Sequence, residues 1–174
     1  MATMILLPNA TGDFDVVNWV AVGEATHHEC LDDDNAATSY SKCSNNTSTM
    51  IIEYANPSVA EADIASIDSV RFLSSGKANH RTDPSRVSIS FEAPTAGFAE
   101  TADYLAHRTN FSTVNGTARI TSDGSNAWTY SDLENLEMKC TKVATIEVYL
   151  SYLALEVIYT EAAADNSIFF GCNF

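Results

Sequence analysis

The chain's 174 residues fit one domain at roughly 100–200 residues each. Of these, 45% are apolar, enough for a hydrophobic core without metal or disulfide staples. Asp and Glu number 23 against 9 Lys and Arg, a net charge of −14, which excludes the basic footprint that nucleic-acid or anionic-membrane binding needs.

The same acidity favours solubility and suits a high-salt, halophilic medium, where ions shorten the reach of like-charge repulsion. No apolar run reaches the ~20 residues of a membrane span. The opening MATMILLPNA has no basic region ahead of its short apolar run, so it does not read as a secretory signal.

In chain order, residues 4–7 form a strand candidate within an N-terminal arm, 1–8. Residues 16–22 gather β-branched side chains around Trp19. A loop follows with His27 and His28, which are adjacent and would face opposite ways in extended chain, so they do not converge on one metal. The run Asp32-Asp33-Asp34-Asn35 makes Asp32, Asp33 and Asp34 the candidate calcium ligands. Calcium takes several hard oxygens, although the glycine and closing glutamate of an EF-hand loop are missing. Cys30 and Cys43 flank this loop and are the pair that could bridge it. With Cys140 and Cys172 they match no zinc spacing, and four free, partly buried thiols are the open alternative.

Short strands are expected over 38–43, 49–54, 64–73 and 86–91. In the last of these Val87, Ile89 and Phe91 share one face while Arg86, Ser88 and Ser90 share the other. Residues 102–111 are ambiguous, and 117–121 read as a strand after the Asn115-Gly116 turn signal. Ser131 with Glu134 fits a capping box, so a helical turn is expected there, and a second one within 59–65.

The closing run is the most informative. Apolar residues hold even positions through Ile146, Val148, Leu150 and Tyr152, then odd ones through Leu153, Leu155, Val157 and Tyr159. Strict alternation cannot change parity without an extra residue, so the strand carries a bulge or is buried on both faces. Short strands separated by turns every 8–12 residues make an all-β fold, an antiparallel β-sandwich.

Chemistry is sparse. No nucleophile elbow, zinc-protease motif or glycine-rich phosphate loop occurs. Glu53, Glu92 and Asp103 are the carboxylates a sandwich hydrolase would use, but no spacing rule selects them. The reading is therefore a protein with no catalytic or cofactor site, calcium apart. Trp19 and Trp128 are expected in the core. If Trp128, Tyr130 and Tyr40 were instead exposed on one concave face, they would make a carbohydrate-binding module. Sequons stand at Asn9, Asn45, Asn46, Asn110 and Asn115.

Three patterns in order carry a resemblance. They are Trp19 followed by the acidic turn and Thr38-Ser39-Tyr40; the strand 64–73 leading by a polar turn to 86–91; and Asp123-Gly124-Ser125-Asn126-Ala127-Trp128-Thr129-Tyr130-Ser131-Asp132-Leu133 before a strand ending Leu155-Glu156-Val157-Ile158-Tyr159. This arrangement, over about residues 15–160, resembles jelly-roll-like virion structural proteins of tailed bacteriophages and tailed archaeal viruses. The resemblance implies a capsid decoration, turret, spike-base or tail-associated subunit, assembled in the host cytoplasm and carried on the virion. Its partners would be other virion proteins and copies of itself, as a trimer or higher ring. The C-terminal tail, 162–174, holds Ile168, Phe169, Phe170 and Phe174, which are too apolar for water and are the candidate interface residues. The alternative function is the carbohydrate-binding module, taking a host receptor or another glycan.

Overall fold

The computed structural model describes residues 1–11, 18–33, 37–44, 48–78, 85–92, 103–107, 110–142 and 147–163. Among these the chain forms β1 (Ala2–Leu6), β2 (Pro8–Thr11), β3 (Trp19–Val22), β4 (Tyr40–Cys43), β5 (Ser48–Tyr54), β6 (Ile64–Ala78), β7 (Ser85–Glu92), β8 (Asp103–His107), β9 (Ser112–Asn115), β10 (Glu137–Lys142) and β11 (Val148–Glu161). A 3-10 turn at Glu61–Asp63 and one helical turn, α1 (Tyr130–Glu134), complete the described elements.

The strands pair antiparallel into two sheets. One is six-stranded, ordered β3-β4-β11-β6-β9, with β1 also beside β11; the other is five-stranded, ordered β2-β5-β10-β7-β8. Alternation decides what faces inward. Met50, Ile52 and Tyr54 of β5, Val87, Ile89 and Phe91 of β7, and Met138 and Cys140 of β10 meet Val70 and Phe72 of β6 and the apolar residues of β11 in one core. Phe72 and Phe91 touch across the gap with centroids 6.1 Å apart. The Tyr54 hydroxyl of one sheet donates to the Leu153 carbonyl of the other at 3.1 Å. The expected antiparallel β-sandwich is what the chain builds.

The parity change in the last run is a bulge. Leu150 pairs with Gly76 of β6 and Tyr152 with the next residue back, Ser75, so Ser151 is the extra residue. Its effect is that Leu150 and Leu153, three apart, both enter the core. β11 is flanked along its length by β6 on one side. On the other side it meets β4 over Val148–Leu150 and β1 over Leu155–Tyr159. Between those two partners its Leu153 amide donates to the Leu31 carbonyl at 3.0 Å, so the gap in the ladder is closed by a loop.

Several expectations change. Residues 1–8 are not an arm, because β1 pairs with β11 from Ala2↔Tyr159 to Leu6↔Leu155 and buries Met4 and Leu6. The chain then changes sheets at Leu7, whose carbonyl accepts from the Ala55 amide at 2.9 Å. Residues 117–121 are not a strand; they contribute isolated bridges, Arg119 to Val70 and Thr121 to Ala127, and the strand lies earlier as β9. Gly116 is needed for space and not for a positive φ: a Cβ there would sit 2.5 Å from the Phe72 ring. The helical turn is capped by Thr129 with Asp132, two residues before the expected Ser131 and Glu134. Leu136 and Met138 belong to the chain beyond it, Met138 inside β10.

Candidate ligand-binding face

Outward side chains of the six-stranded sheet form a cluster of rings and charges. Alternation in β4 sends Ser41 and Cys43 inward and leaves Tyr40 and Lys42 outward. In β11 the residue between inward Val148 and Leu150 is Tyr149, which therefore faces out. Register sets Tyr149 opposite Lys42 on one side and opposite Lys77 of β6 on the other.

These positions converge. Tyr40 meets Tyr149 edge to face, centroids 5.4 Å apart, and Phe111, just before β9, lies 6.5 Å from Tyr40. Such tilted and T-shaped contacts are the favoured geometry for rings with a negative face and a positive edge. Lys42 Nζ stands 5.5 Å from the Tyr149 centroid. Lys77 Nζ stands 4.7 Å from it and 4.9 Å from that of Phe111.

Glu147, one residue before β11, fixes this group in place. Its carboxylate accepts from Lys42 Nζ at 2.6 Å, from Ser44 Oγ at 2.8 Å and from the Tyr149 hydroxyl. The Lys42 ammonium, with help from the other donors, holds the Glu147 carboxyl at about 2. The reciprocal hydrogen bond raises Lys42 above its ordinary value. The arrangement offers ring faces for stacking with charged hydrogen-bonding groups at their edges.

The expected ligand residues are separated by the fold. Tyr40 is on this face. Trp128 is buried at 5% exposure: its Nε1 donates to the Arg119 carbonyl at 2.9 Å, and its ring meets Phe91 at 83°. Tyr130 starts α1 and donates its hydroxyl to the Val59 carbonyl. The concave face of Trp128, Tyr130 and Tyr40 therefore does not form, because the first of the three is needed by the core. Trp19 is in the core, as expected. Part of the real cluster was readable, since Tyr149 holds an odd position within the even half of the closing run. Lys77 and Phe111 carried no such mark.

The other candidates lie elsewhere. The Cys30–Cys43 bridge is not made; both are buried thiols. Cys30 directs its Sγ to the Val22 carbonyl, whereas Cys43 sits in β4 between its register partners Trp19 and Val148. Cys140 is buried in β10, and apolar surroundings push its thiol upward, away from reactivity. Cys172 lies outside the described residues. His27 sets Nδ1 2.8 Å from Ser41 Oγ, and burial lowers it below the usual imidazole value.

Asp32 and Asp33 occupy a turn, and Asp34 is outside the described residues. No group of three or more metal-ligating side chains gathers among the described residues. In register Glu53 and Glu92 pair with Glu137 from its two neighbouring strands. Asp103 is paired with Ile89 in β8. Ile168, Phe169, Phe170 and Phe174 lie outside the described residues, as do the sequons at Asn45 and Asn46. Asn9, Asn110 and Asn115 are exposed.

No family model matches the chain, and no curated protein does. Among solved structures the chain is similar to a family 29 carbohydrate-binding module from Piromyces equi, at 11% identity and a TM-score of 0.42, covering 97% of each chain. It is also similar to a structure described as "CBM4 structure and function", at 12% identity and a TM-score of 0.38, covering 83% of this chain and 95% of that one.

Proposed function

We propose that this chain is a non-catalytic binding module that holds a carbohydrate against the outer face of its six-stranded sheet. One observation carries the reading: Tyr40 meets both Tyr149 and Phe111 on the outer side of this sheet, with Tyr149 buried at 9% exposure and Tyr40 and Phe111 half-buried. Two half-buried rings over a third on the outer side of a sheet make an apolar patch of the kind that marks interaction sites. A sugar ring has apolar C–H faces that stack on aromatic rings and hydroxyls that need donors and acceptors. Lys42, Lys77, Ser44 and Glu147 supply those at the cluster's edge.

The non-enzymatic part of the reading rests on where register puts the nominated acids. In the other sheet, register sets Glu53 and Glu92 on either side of Glu137, while Asp103 pairs with Ile89. A sugar-binding face would serve equally on a virion surface, the setting to which the motif order points, and the sandwich itself does not choose between these settings.

Native gel electrophoresis through soluble xylan, mixed-linkage β-glucan, galactomannan and polygalacturonate tests the reading. At least one polymer should retard the protein, and Tyr40→Ala or Phe111→Ala should restore free migration. Unretarded migration through all four would overturn it.

A further inference from the structure

We propose that the sugar chain taken by this face is acidic, with a uronate carboxylate seated on Lys77; this rests on the carbohydrate reading above. Charge pairing along the face motivates it. Lys42 is neutralised by Glu147 at 2.6 Å, and Arg71, further along β6, by Glu156 at 2.5 Å. Lys77 makes no ion pair among the described residues and meets the rings of Phe111 and Tyr149 instead. In a chain with 23 acidic residues, carboxylate partners are plentiful, yet this ammonium is set between two aromatic rings.

The two outward positions preceding Lys77 on β6, Ser75 and Leu73, are uncharged. A ligand carboxylate arriving beside Tyr149 would therefore meet one net positive charge and no local repulsion from that strand. The aromatic flanks lower the local dielectric and strengthen a charge-assisted hydrogen bond. The protein's net charge of −14 opposes acidic polymers only at long range, which salt confines to about 8 Å under physiological conditions. A pyranose ring stacked on Phe111 or Tyr40 keeps its carboxylate within reach of an ammonium already held beside both Phe111 and Tyr149.

Isothermal titration of the full chain with hexagalacturonate, hexamannuronate, cellohexaose and mannohexaose, at low and high NaCl, decides the matter. One of the uronates should bind at least about tenfold more tightly than either neutral sugar. Its affinity should fall as salt rises, and Lys77→Gln should cost it about tenfold and flatten that salt dependence. Circular dichroism checks that the variant is folded. If a neutral hexasaccharide binds as tightly as the uronates, or Lys77→Gln leaves uronate binding intact, the acidic-ligand inference falls and the aromatic platform stands. If none of the four binds, the platform reading falls with it.

Discussion

The two sheets are built by the same alternation, yet their outer faces have little in common. The six-stranded sheet carries Tyr40, Lys42, Tyr149 and Lys77 at adjoining register positions, each cation over a ring and Glu147 tying Lys42 to Tyr149. The five-stranded sheet presents Thr49 against Thr141 and, one end further on, Glu137 between Glu53 and Glu92. Along β10 the second face sets Glu137, Lys139 and Thr141 in one outward row, short hydroxyls and charges of the kind that keep other chains away. The first gathers rings and charges whose arrangement the core does not require. Two surfaces grown from equivalent strands thus differ in what they gather beyond the core's own needs.

The strongest way to break that contrast is to remove Ser151. With the extra residue gone, alternation on β11 runs unbroken, and one half of the strand must turn its inward side chains outward. Either Val148 and Leu150 leave the core and Tyr149 enters it, or Leu153, Leu155 and Val157 do the reverse. Both cost more than about 4 kcal/mol, so the deletion variant should lack a cooperative melting transition. A folded deletion variant would show that the bulge does not set the faces.

A smaller break is Gly116→Ala. The new methyl group would meet the Phe72 ring at 2.5 Å, while the Gly116 amide donates to the Phe72 carbonyl at 2.8 Å and keeps the backbone close. Overpacking of this kind costs about 1–3 kcal/mol, read as a lower denaturation midpoint. Because β9 follows directly on Phe111, binding to the aromatic face should weaken with it.

How much of this was legible follows from what alternation can and cannot say. It marked β5, β7 and β11, whose inward residues are large and apolar, and it located the bulge to within two residues. It missed β10, because Lys139, Thr141 and Lys142 surround a buried Cys140, and Lys142 is itself fully buried at the strand's end. It missed β2, because a Pro-Asn pair is turn chemistry that here sits in an edge strand, where proline's missing donor does no harm. The ligand face was half legible. Alternation gives the direction of Tyr40 and Tyr149 within each strand, but only pairing across strands brings Lys42, Tyr149 and Lys77 into one row. The register joining residues 42, 77 and 149 is a tertiary fact. Trp128 misled for the converse reason: it is surrounded by turn residues, yet its ring is driven into the core.

Glu147→Gln sharpens the aromatic side of the contrast. Glu147 is held at about 2, against an ordinary 4.5, chiefly by the Lys42 hydrogen bond. A depressed carboxyl stabilises the fold above its unfolded value and loses that contribution as pH falls through the folded one. Wild type should therefore exceed the variant by a constant amount above about pH 5 and converge with it toward pH 2. The carboxylate is part-exposed, so the difference should be modest, up to about 1 kcal/mol. Parallel stability curves across that range would show that Glu147's contacts with Lys42 and Tyr149 do not hold the rings.

The smallest expected effect tests the other face. Glu137 stands opposite Glu53 on one neighbour and Glu92 on the other, and like charges directly opposite are destabilising in antiparallel pairs. Glu137→Gln keeps the shape and removes the central charge. It should raise stability by about 0.2–1 kcal/mol, and the gain should shrink as salt screens the row. The same substitution should leave binding at the aromatic face untouched, since it lies in the opposite sheet. A loss of stability instead would mean that the attraction of Glu137's own partners outweighs its flanking carboxylates, and the five-stranded face would then be more organised than like-charge repulsion alone implies.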